Sequence, residues 1–182
     1  QARVAETEKY NHVTYFFNAE KSKKFPMSTN YLIPSPNVAT YDETPLMSAI
    51  DVTKQVKKCL ENDFDFILVN YANPDMLGHT GNMDATVTSL RALDKILQTV
   101  VESAQDNFYT VMITADHGNC DIMIDDNGEI VTTHTTSPVP FILLDKKITL
   151  KEKGDLTNIA PTILKYMDIA IPKEMKESKD LI

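Results

Sequence analysis

The sequence predicts an α/β fold in which a layered, mostly parallel sheet is flanked by helices. Three short apolar runs, at residues 64–71, 109–115 and 140–145, are typical of buried strands. Longer stretches between and after them place apolar residues at helical spacing. Strands that alternate with long helices usually form layered sheets whose neighbouring strands are parallel.

Size and charge exclude several other classes of protein. With 182 residues the chain can bury a core of its own, so one domain is the default. The formal net charge of -8 opposes binding to nucleic acid or to an anionic membrane surface. No apolar run approaches the roughly 20 residues that span a bilayer, and two cysteines do not form a disulfide framework. The composition therefore predicts a soluble, cytoplasmic protein without nucleic-acid or membrane partners.

Helical spacing first appears near the N-terminus. Residues from about Glu8 to Asn18 are expected to form a helix that buries four apolar side chains, Tyr10, Val13, Phe16 and Phe17. The following stretch, Ala19 to Tyr41, contains three prolines, which prevent a long helix. We expect a surface excursion with one short extended piece around Tyr31 to Ile33.

The middle of the chain alternates helices and strands. A helix is predicted from Pro45 to about Asn62, followed by a strand from Phe64 to Tyr71 that is apolar enough to be buried on both faces. Asp84 to Ala104 is expected to be a long helix with one apolar face, and Tyr109 to Ala115 a second buried strand. This succession is the basis for predicting a parallel sheet.

The last third of the chain contains turn signals and shorter elements. Cys120 to Asp125 and Glu129 to Thr132 are expected to form a hairpin around the sequence Asp126-Asn127-Gly128. Pro140 to Asp145 is predicted to be another strand, and Thr157 to Met167 a final helix.

Three motifs contain five residues that are candidate metal ligands. They are Asp75 and His79 in NPDMLGHTG, Asp116 and His117 in ITADHGN, and His134 in VTTHTTSP. Because Asp75 and His79 are four residues apart, one helical turn places them on the same side. Asp116 and His117 are adjacent, so they need a turn to act together, and the glycine that follows them permits one.

The position of these motifs agrees with a ligand site. Asp75 and the Asp116–His117 pair each follow a predicted strand, and open α/β sheets bind ligands beyond the carboxyl ends of their strands. Taken alone, each motif is more often a surface pair, a helix cap or a turn. Together they predict a metal site, whose mixed oxygen and nitrogen ligands suit Mn, Zn or Fe better than Mg or Ca.

Six segments of the chain closely resemble one family of enzymes. These segments are AETEKYNHVTYFFN, PSPNVATYD, NYANPDMLGHTGN, ITADHGNCD, THTTSPVPF and DLTNIAPTIL. They resemble the C-terminal part of the metal-binding phosphatase domain of cofactor-independent (2,3-bisphosphoglycerate-independent) phosphoglycerate mutases, within the alkaline-phosphatase superfamily. The resemblance covers nearly the whole chain. It implies that residues 1–182 are this C-terminal part, and that the N-terminal part of the domain and the phosphotransferase domain are absent.

The resemblance implies a glycolytic activity. Members of the family interconvert 3-phosphoglycerate and 2-phosphoglycerate through a phosphoserine and two metal ions. The ions are usually Mn²⁺, with Zn, Co or Mg as possible substitutes, and there is no organic cofactor. The resemblance assigns Asp75, His79 and His134 to the first ion and Asp116 and His117 to the second.

Lys9, in AETEKY, matches a family lysine that contacts the phosphoryl group, and would serve in catalysis and substrate binding. The nucleophilic serine, a neighbouring aspartate and the arginine-bearing substrate domain cannot be located in this chain. We therefore expect the chain alone to be an inactive fragment, whose partner is the missing N-terminal part of the same protein.

One loop departs from the family pattern. After FFN the family usually continues with Gly-Gly, whereas Ala19 and Glu20 follow here, and glycine permits backbone angles that other residues resist. Two alternatives therefore stay open. The chain could be a divergent, non-catalytic metal-binding domain, or part of another alkaline-phosphatase-superfamily phosphomutase or phosphatase, although AETEKY and NYANPDM weigh against the latter.

Overall fold

The computed structural model describes residues 1–175 and 177–182. It contains five strands and four α-helices within that range, β1 Ala2–Glu6, β2 Thr29–Ile33, α1 Ala49–Leu60, β3 Ile67–Val69, α2 Asn73–Gly78, α3 Met83–Asp106, β4 Met112–Thr114, β5 Phe141–Leu143 and α4 Ile159–Tyr166. The chain divides into two compact units. The first comprises Gln1–Tyr109 with His117–Pro138, and the second Thr110–Asp116 with Val139–Ile182.

The first unit contains a parallel sheet with strand order β2-β1-β3. In its register Ala2 lies opposite both Thr29 and Ile67. Helix α1 packs on β1 and on α3, with its buried face formed by small and branched side chains such as Val52 and Val56. The predicted parallel sheet with flanking helices is thus confirmed, and each predicted long helix is present with slightly different bounds.

The central strand β1 was not predicted, although all five of its residues are buried. The reason is that its sequence, ARVAE, includes two charged side chains. The Arg3 guanidinium donates to the Val13 carbonyl at 3.2 Å and to Asn18 Oδ1 at 2.6 Å, and lies 4.9 Å from the centre of the Phe17 ring. Because these partners satisfy its donors, a charged residue occupies a position that an apolar pattern would have assigned to the surface.

The segment after β1 is helical but irregular. A 3-10 turn, Thr7–Lys9, leads into a π-helical turn, His12–Phe16. Val13 is buried as predicted, but Phe16 and Phe17 remain 51% and 49% exposed, so their predicted burial was wrong. The Phe17 ring instead stacks on Phe66 at 6.5 Å and covers Arg3.

Two other expectations of burial need correction. Strand β3 is only half-buried, because it lies at the edge of the three-stranded sheet rather than between two strands. Strand β4 is likewise half-buried to exposed within the second unit. Short apolar runs do not distinguish an edge strand from a central strand.

Ala19 and Glu20 adopt the backbone conformation that the expected glycines would favour. Their φ angles are 52° and 59°, in the left-handed region. The amide of Ala19 donates to the Phe16 carbonyl at 3.0 Å, and that of Glu20 to the Tyr15 carbonyl at 2.9 Å. These bonds close the helical segment, so the loop keeps a glycine-type path with two residues that pay a steric cost for it.

In the second unit, β4 and β5 pair antiparallel, with Met112 opposite Leu143. The predicted final helix is present as a 3-10 turn, Leu156–Asn158, followed by α4. Asp155 caps this segment by accepting from the Thr157 amide at 2.8 Å. In the first unit the predicted hairpin is reduced to one antiparallel bridge, between Ile124 and Ile130. None of the helices described is both long and apolar enough for a bilayer span.

Candidate metal centre

Helix α2 carries the first two candidate ligands. It follows β3, begins with an Asn-Pro pair, and places Asp75 in its first turn and His79 at its C-cap. Leu77, which is fully buried, anchors the helix in a core cluster with Met47, Ala72 and Ala85. Because the apolar side of so short a helix is fixed in this way, the side chains of its polar side keep a defined position.

Three of the five candidate ligands, Asp75, His79 and His134, lie close together. Asp75 Oδ1 lies 3.2 Å from His79 Nε2 and 3.1 Å from His134 Nε2, and the two Nε2 atoms lie 3.1 Å apart. A tetrahedral ion with bonds of about 2.0–2.1 Å separates its ligand atoms by about 3.3 Å. The spacing of the three atoms is close to what one divalent ion requires, and together they would offer it one oxygen and two nitrogen ligands.

A backbone contact selects the form of His79 that binds a metal. Its Nδ1 lies 2.7 Å from the carbonyl oxygen of Thr132. Since a carbonyl can only accept, Nδ1 carries the hydrogen, and in the neutral ring Nε2 then presents its lone pair toward Asp75 and His134. This is the arrangement in which a ligating histidine is oriented by a partner at its other nitrogen.

Lys9 is a buried cation at the same site. Its side chain is 10% exposed, and its ammonium donates to Asp75 Oδ2. Burial by itself raises the pKa of the Asp75 carboxyl, but hydrogen bonds from Lys9 and Asn119 and the charge of Lys9, with a smaller electrostatic contribution from His79, more than offset burial and lower this pKa to about 2. Asp75 is therefore ionised throughout the physiological range, as a metal ligand must be.

The other two predicted ligands have different surroundings. The His117 ring stacks on that of His134, with 3.7 Å between their centroids and a 22° angle between their planes. Asp116 belongs to the second compact unit, directly before the boundary. Among the residues described, the three that bring ligand atoms within 4.8 Å of one another are Asp75, His79 and His134. A second ion held by Asp116 and His117 stays a prediction.

Sequence reasoning missed Asn119. It follows Asp116-His117-Gly118 directly and is 6% exposed, and its amide donates to the Asp75 carboxylate at 2.7 Å. Its place inside the ITADHGN motif was the available signal. Asparagine has no charge, however, so its residue type does not mark it as a metal-site residue.

An open cleft of about 420 Å³ borders the site, lined by Thr40, Tyr41, Asp42, Met76, His79 and Thr80. Its volume lies in the range usual for small-molecule sites. Burial, together with the hydrogen bond to Glu8 and its charge, raises the pKa of Tyr41 to about 12. The Tyr41 phenol donates to Glu8 Oε1 at 2.7 Å, so this wall of the cleft carries a neutral hydroxyl.

The fold and this ligand set agree with comparisons to known proteins. A family model described as Metalloenzyme superfamily matches residues 1–171. The chain belongs to the metalloenzyme superfamily. Family membership and the three converging ligands together indicate that the chain uses a divalent metal.

The curated relatives are more specific. The chain is 48% identical over 178 residues to the 2,3-bisphosphoglycerate-independent phosphoglycerate mutase of Sulfurimonas denitrificans, a match that covers 98% of this chain and 36% of the relative. It is 49% identical over 175 residues to the protein of the same name from Mycoplasma genitalium, covering 96% and 34%. The chain thus spans about a third of the length of the curated relatives it matches.

A solved structure is similar over the whole chain. It is phosphoglycerate mutase of Leishmania mexicana, crystallised at low cobalt concentration. The TM-score is 0.89 at 29% identity, and the match covers 100% of this chain and 37% of the other. This similarity extends the agreement to the alkaline-phosphatase-like α/β fold that the sequence predicted.

Proposed function

We propose that this chain is the metal-binding part of a cofactor-independent phosphoglycerate mutase, which interconverts 3-phosphoglycerate and 2-phosphoglycerate in the glycolysis of the cytoplasm. The observation that carries the proposal is the convergence of Asp75, His79 and His134 beside the buried Lys9, in a chain similar over nearly its full length to such mutases. Residues 1–182 would form the C-terminal part of the phosphatase domain.

The first ion would be held by Asp75, His79 and His134, and the second by Asp116 and His117. One carboxylate with two imidazoles suits Mn, Zn or Fe better than Mg or Ca. Mn²⁺ is the proposed metal because the resemblance to the mutase family implies it, and the same resemblance allows Zn, Co or Mg as substitutes. When bound, such ions stabilise negative charge on a phosphoryl group and lower the pKa of a coordinated hydroxyl. No organic cofactor is required by this chemistry.

Lys9 would contact the transferring phosphoryl group. Its ammonium lies beside the proposed first ion, on the same Asp75 carboxylate, and is largely shielded from water. A cation in such a place stabilises charge on phosphoryl oxygens more strongly than an exposed lysine does. With a net charge of -8 the chain as a whole would repel phosphoglycerate, so this attraction has to be local.

Catalysis would require parts that these 182 residues do not supply, namely the nucleophilic serine, its neighbouring aspartate and the arginines that hold the substrate. The serine would accept the phosphoryl group and return it to the other hydroxyl of the glycerate. The partner of this chain would therefore be the remainder of the same protein, and the 182 residues alone would have no mutase activity.

Two experiments test the proposal. In the first, isothermal titration of the 182-residue chain with Mn²⁺ should show binding that is lost in His134→Ala and kept in Asp126→Ala, an exposed acid in the hairpin turn. Absence of any binding at millimolar Mn²⁺ would contradict the metal centre itself.

In the second experiment the chain is co-expressed with the remaining portion of the Sulfurimonas denitrificans relative. Conversion of 3-phosphoglycerate is then followed through enolase as the absorbance of phosphoenolpyruvate. Activity that requires Lys9 but not the exposed Lys57 of α1 would support the mutase assignment. A chain that assembles and binds Mn²⁺ yet stays inactive would instead favour a non-catalytic metal-binding domain.

A further inference from the structure

The Asn119 side chain contacts two atoms of Asp75. Its side-chain Nδ2 donates to the carboxylate Oδ1 of Asp75 at 2.7 Å and to the backbone carbonyl of Asp75 at 3.1 Å. Both partners are acceptors, so only the NH₂ end of the amide can face them, which fixes its orientation. The side chain is also buried, with 6% exposure, so water does not compete for these bonds.

The carboxylate atom that Asn119 contacts is the one that faces the histidines. Asp75 Oδ1 lies within 3.2 Å of the Nε2 atoms of His79 and His134, whereas Oδ2 accepts from Lys9. A carboxylate with a donor on each oxygen, and a third bond from the same amide to its backbone, has little freedom to rotate. Asn119 and Lys9 thus both restrict the carboxylate, and Asn119 is the one that contacts Oδ1.

The residue before Asn119 reaches the third ligand segment. Gly118 forms an antiparallel bridge with Thr135, whose amide donates to the Gly118 carbonyl at 2.9 Å. Thr135 directly follows His134. Two consecutive residues, Gly118 and Asn119, thus connect the segment of His134 to the helix that bears Asp75 and His79.

Helix α2 leaves room for the Asn119 side chain. A Cβ atom at Gly78 would lie 2.1 Å from Asn119 Oδ1 and 2.7 Å from its Cγ. The same Oδ1 is buried and has no hydrogen-bond partner among residues 1–175 and 177–182. The site therefore accommodates the amide and uses its donor end, while it gains no bond from the acceptor end.

From these contacts we infer that Asn119 is a positioning residue, which orients the Asp75 carboxylate toward the metal ion. The inference rests on the metal centre proposed above. It differs from a packing role in one respect, because a side chain of similar size without a donor would fill the space and leave Asp75 free to rotate.

The test compares Asn119→Leu, which keeps the approximate volume, with Asn119→Ala and with the control Asn107→Ala. The Asn107→Ala variant also loses a side-chain hydrogen bond, which Asn107 donates to the Ser103 carbonyl at the end of α3, but Asn107 lies outside the site. Both Asn119 variants should weaken Mn²⁺ binding about 10- to 100-fold, as removal of a partner of a metal ligand usually does. The control should bind as the wild type does. Wild-type affinity in Asn119→Leu would overturn the inference.

Two further measurements apply if a variant at 119 does not fold. Gly78→Ala keeps the amide but displaces it, so it should weaken Mn²⁺ binding as well, and unchanged affinity would count against the inference. In the metal-free chain, the NMR shifts of the Asn119 side-chain NH₂ should change when Asp75 is replaced by alanine. Unchanged shifts would overturn the positioning role whether or not the wild type binds metal, whereas a wild type that fails to bind Mn²⁺ contradicts the metal centre instead.

Discussion

Two carboxylates in the first unit, the half-buried Asp75 and the fully buried Glu6, lie in regions of opposite character. Asp75, on α2, is surrounded by donors from Lys9 and Asn119. Glu6, at the end of β1, is fully buried and accepts a hydrogen bond from Ser35 Oγ at 2.9 Å, while its Oε1 has no hydrogen-bond partner in the described part of the chain.

The pKa values move in opposite directions for this reason. Burial raises the pKa of Glu6, the Glu8 charge adds to the rise, and the bonds from Ser35 and the Ser48 backbone only partly oppose it. At Asp75 the donors prevail and the pKa falls to about 2. Burial alone therefore does not make a carboxylate a metal ligand. A carboxylate binds a cation only where its ionised form is already stabilised.

Neutralising each carboxylate in turn should give the largest difference between the two regions. Asp75→Asn should weaken Mn²⁺ binding by more than about 100-fold, since it removes a ligand rather than one of a ligand's partners. Glu6→Gln should leave the affinity unchanged. Titration calorimetry on both variants measures the difference in Mn²⁺ affinity. Equal losses of affinity would show that the two carboxylates are not distinct in function.

Replacing Lys9 tests the partner of the Asp75 carboxylate. In Lys9→Met the ionised carboxylate loses its charged donor, and the free energy of unfolding of the metal-free chain should fall by about 3 kcal/mol. Mn²⁺ should restore much of this loss, because the ion then supplies the missing charge. Urea unfolding with and without Mn²⁺ measures both effects. If Mn²⁺ does not change the loss of stability, Lys9 and the ion do not interact with the same Asp75 carboxylate.

Asp75 and Glu6 are expected to contribute to stability with opposite dependence on pH. The pKa of Asp75 is lowered in the folded chain, so its stabilisation of about 2 kcal/mol is present above pH 4 and is lost as the pH falls toward 2. The raised pKa of Glu6 acts oppositely, since it favours the folded chain at low pH and loses that contribution as pH rises. Urea unfolding between pH 2 and pH 7 should therefore show the acid loss disappear in Asp75→Asn, and the opposing term disappear in Glu6→Gln.

The smallest effect concerns backbone rather than charge. Ala19→Gly should raise the free energy of unfolding by about 0.5–1 kcal/mol, because it relieves a left-handed conformation that costs alanine about 1–2 kcal/mol. Ala170, which is exposed and lacks a positive φ, offers the control, and its replacement by glycine should destabilise. Similar changes in both variants would show that position 19 carries no strain.

Most of the fold could be predicted because the large elements follow an apolar period. Helix α1 and strands β3, β4 and β5 lie inside the stretches that the pattern indicated, and α3 extends one residue before and two residues beyond its predicted stretch. Strand β1 could not, because its Arg3 and Glu6 are buried by contacts with residues remote in sequence. Periodicity records how apolar residues are spaced and contains no information on which charges find partners.

The candidate ligands could be chosen from the sequence for a related reason. Carboxylates and imidazoles in short motifs indicate metal chemistry by their type, which selected five residues, whereas the assignment of Asp75, His79 and His134 to one ion came from the family resemblance. Asn119 and the Thr132 carbonyl could not be chosen in this way, because amides and carbonyls are present everywhere in a sequence. Their role depends entirely on where the fold places them.

The left-handed pair Ala19–Glu20 has a consequence for how relatives of this chain are recognised. The amides of Ala19 and Glu20 donate to the carbonyls of Phe16 and Tyr15 and end the helical segment, so the loop takes this course without a glycine at either position. A sequence search that required a glycine pair after FFN would therefore miss this chain, although its backbone follows the path that glycines favour.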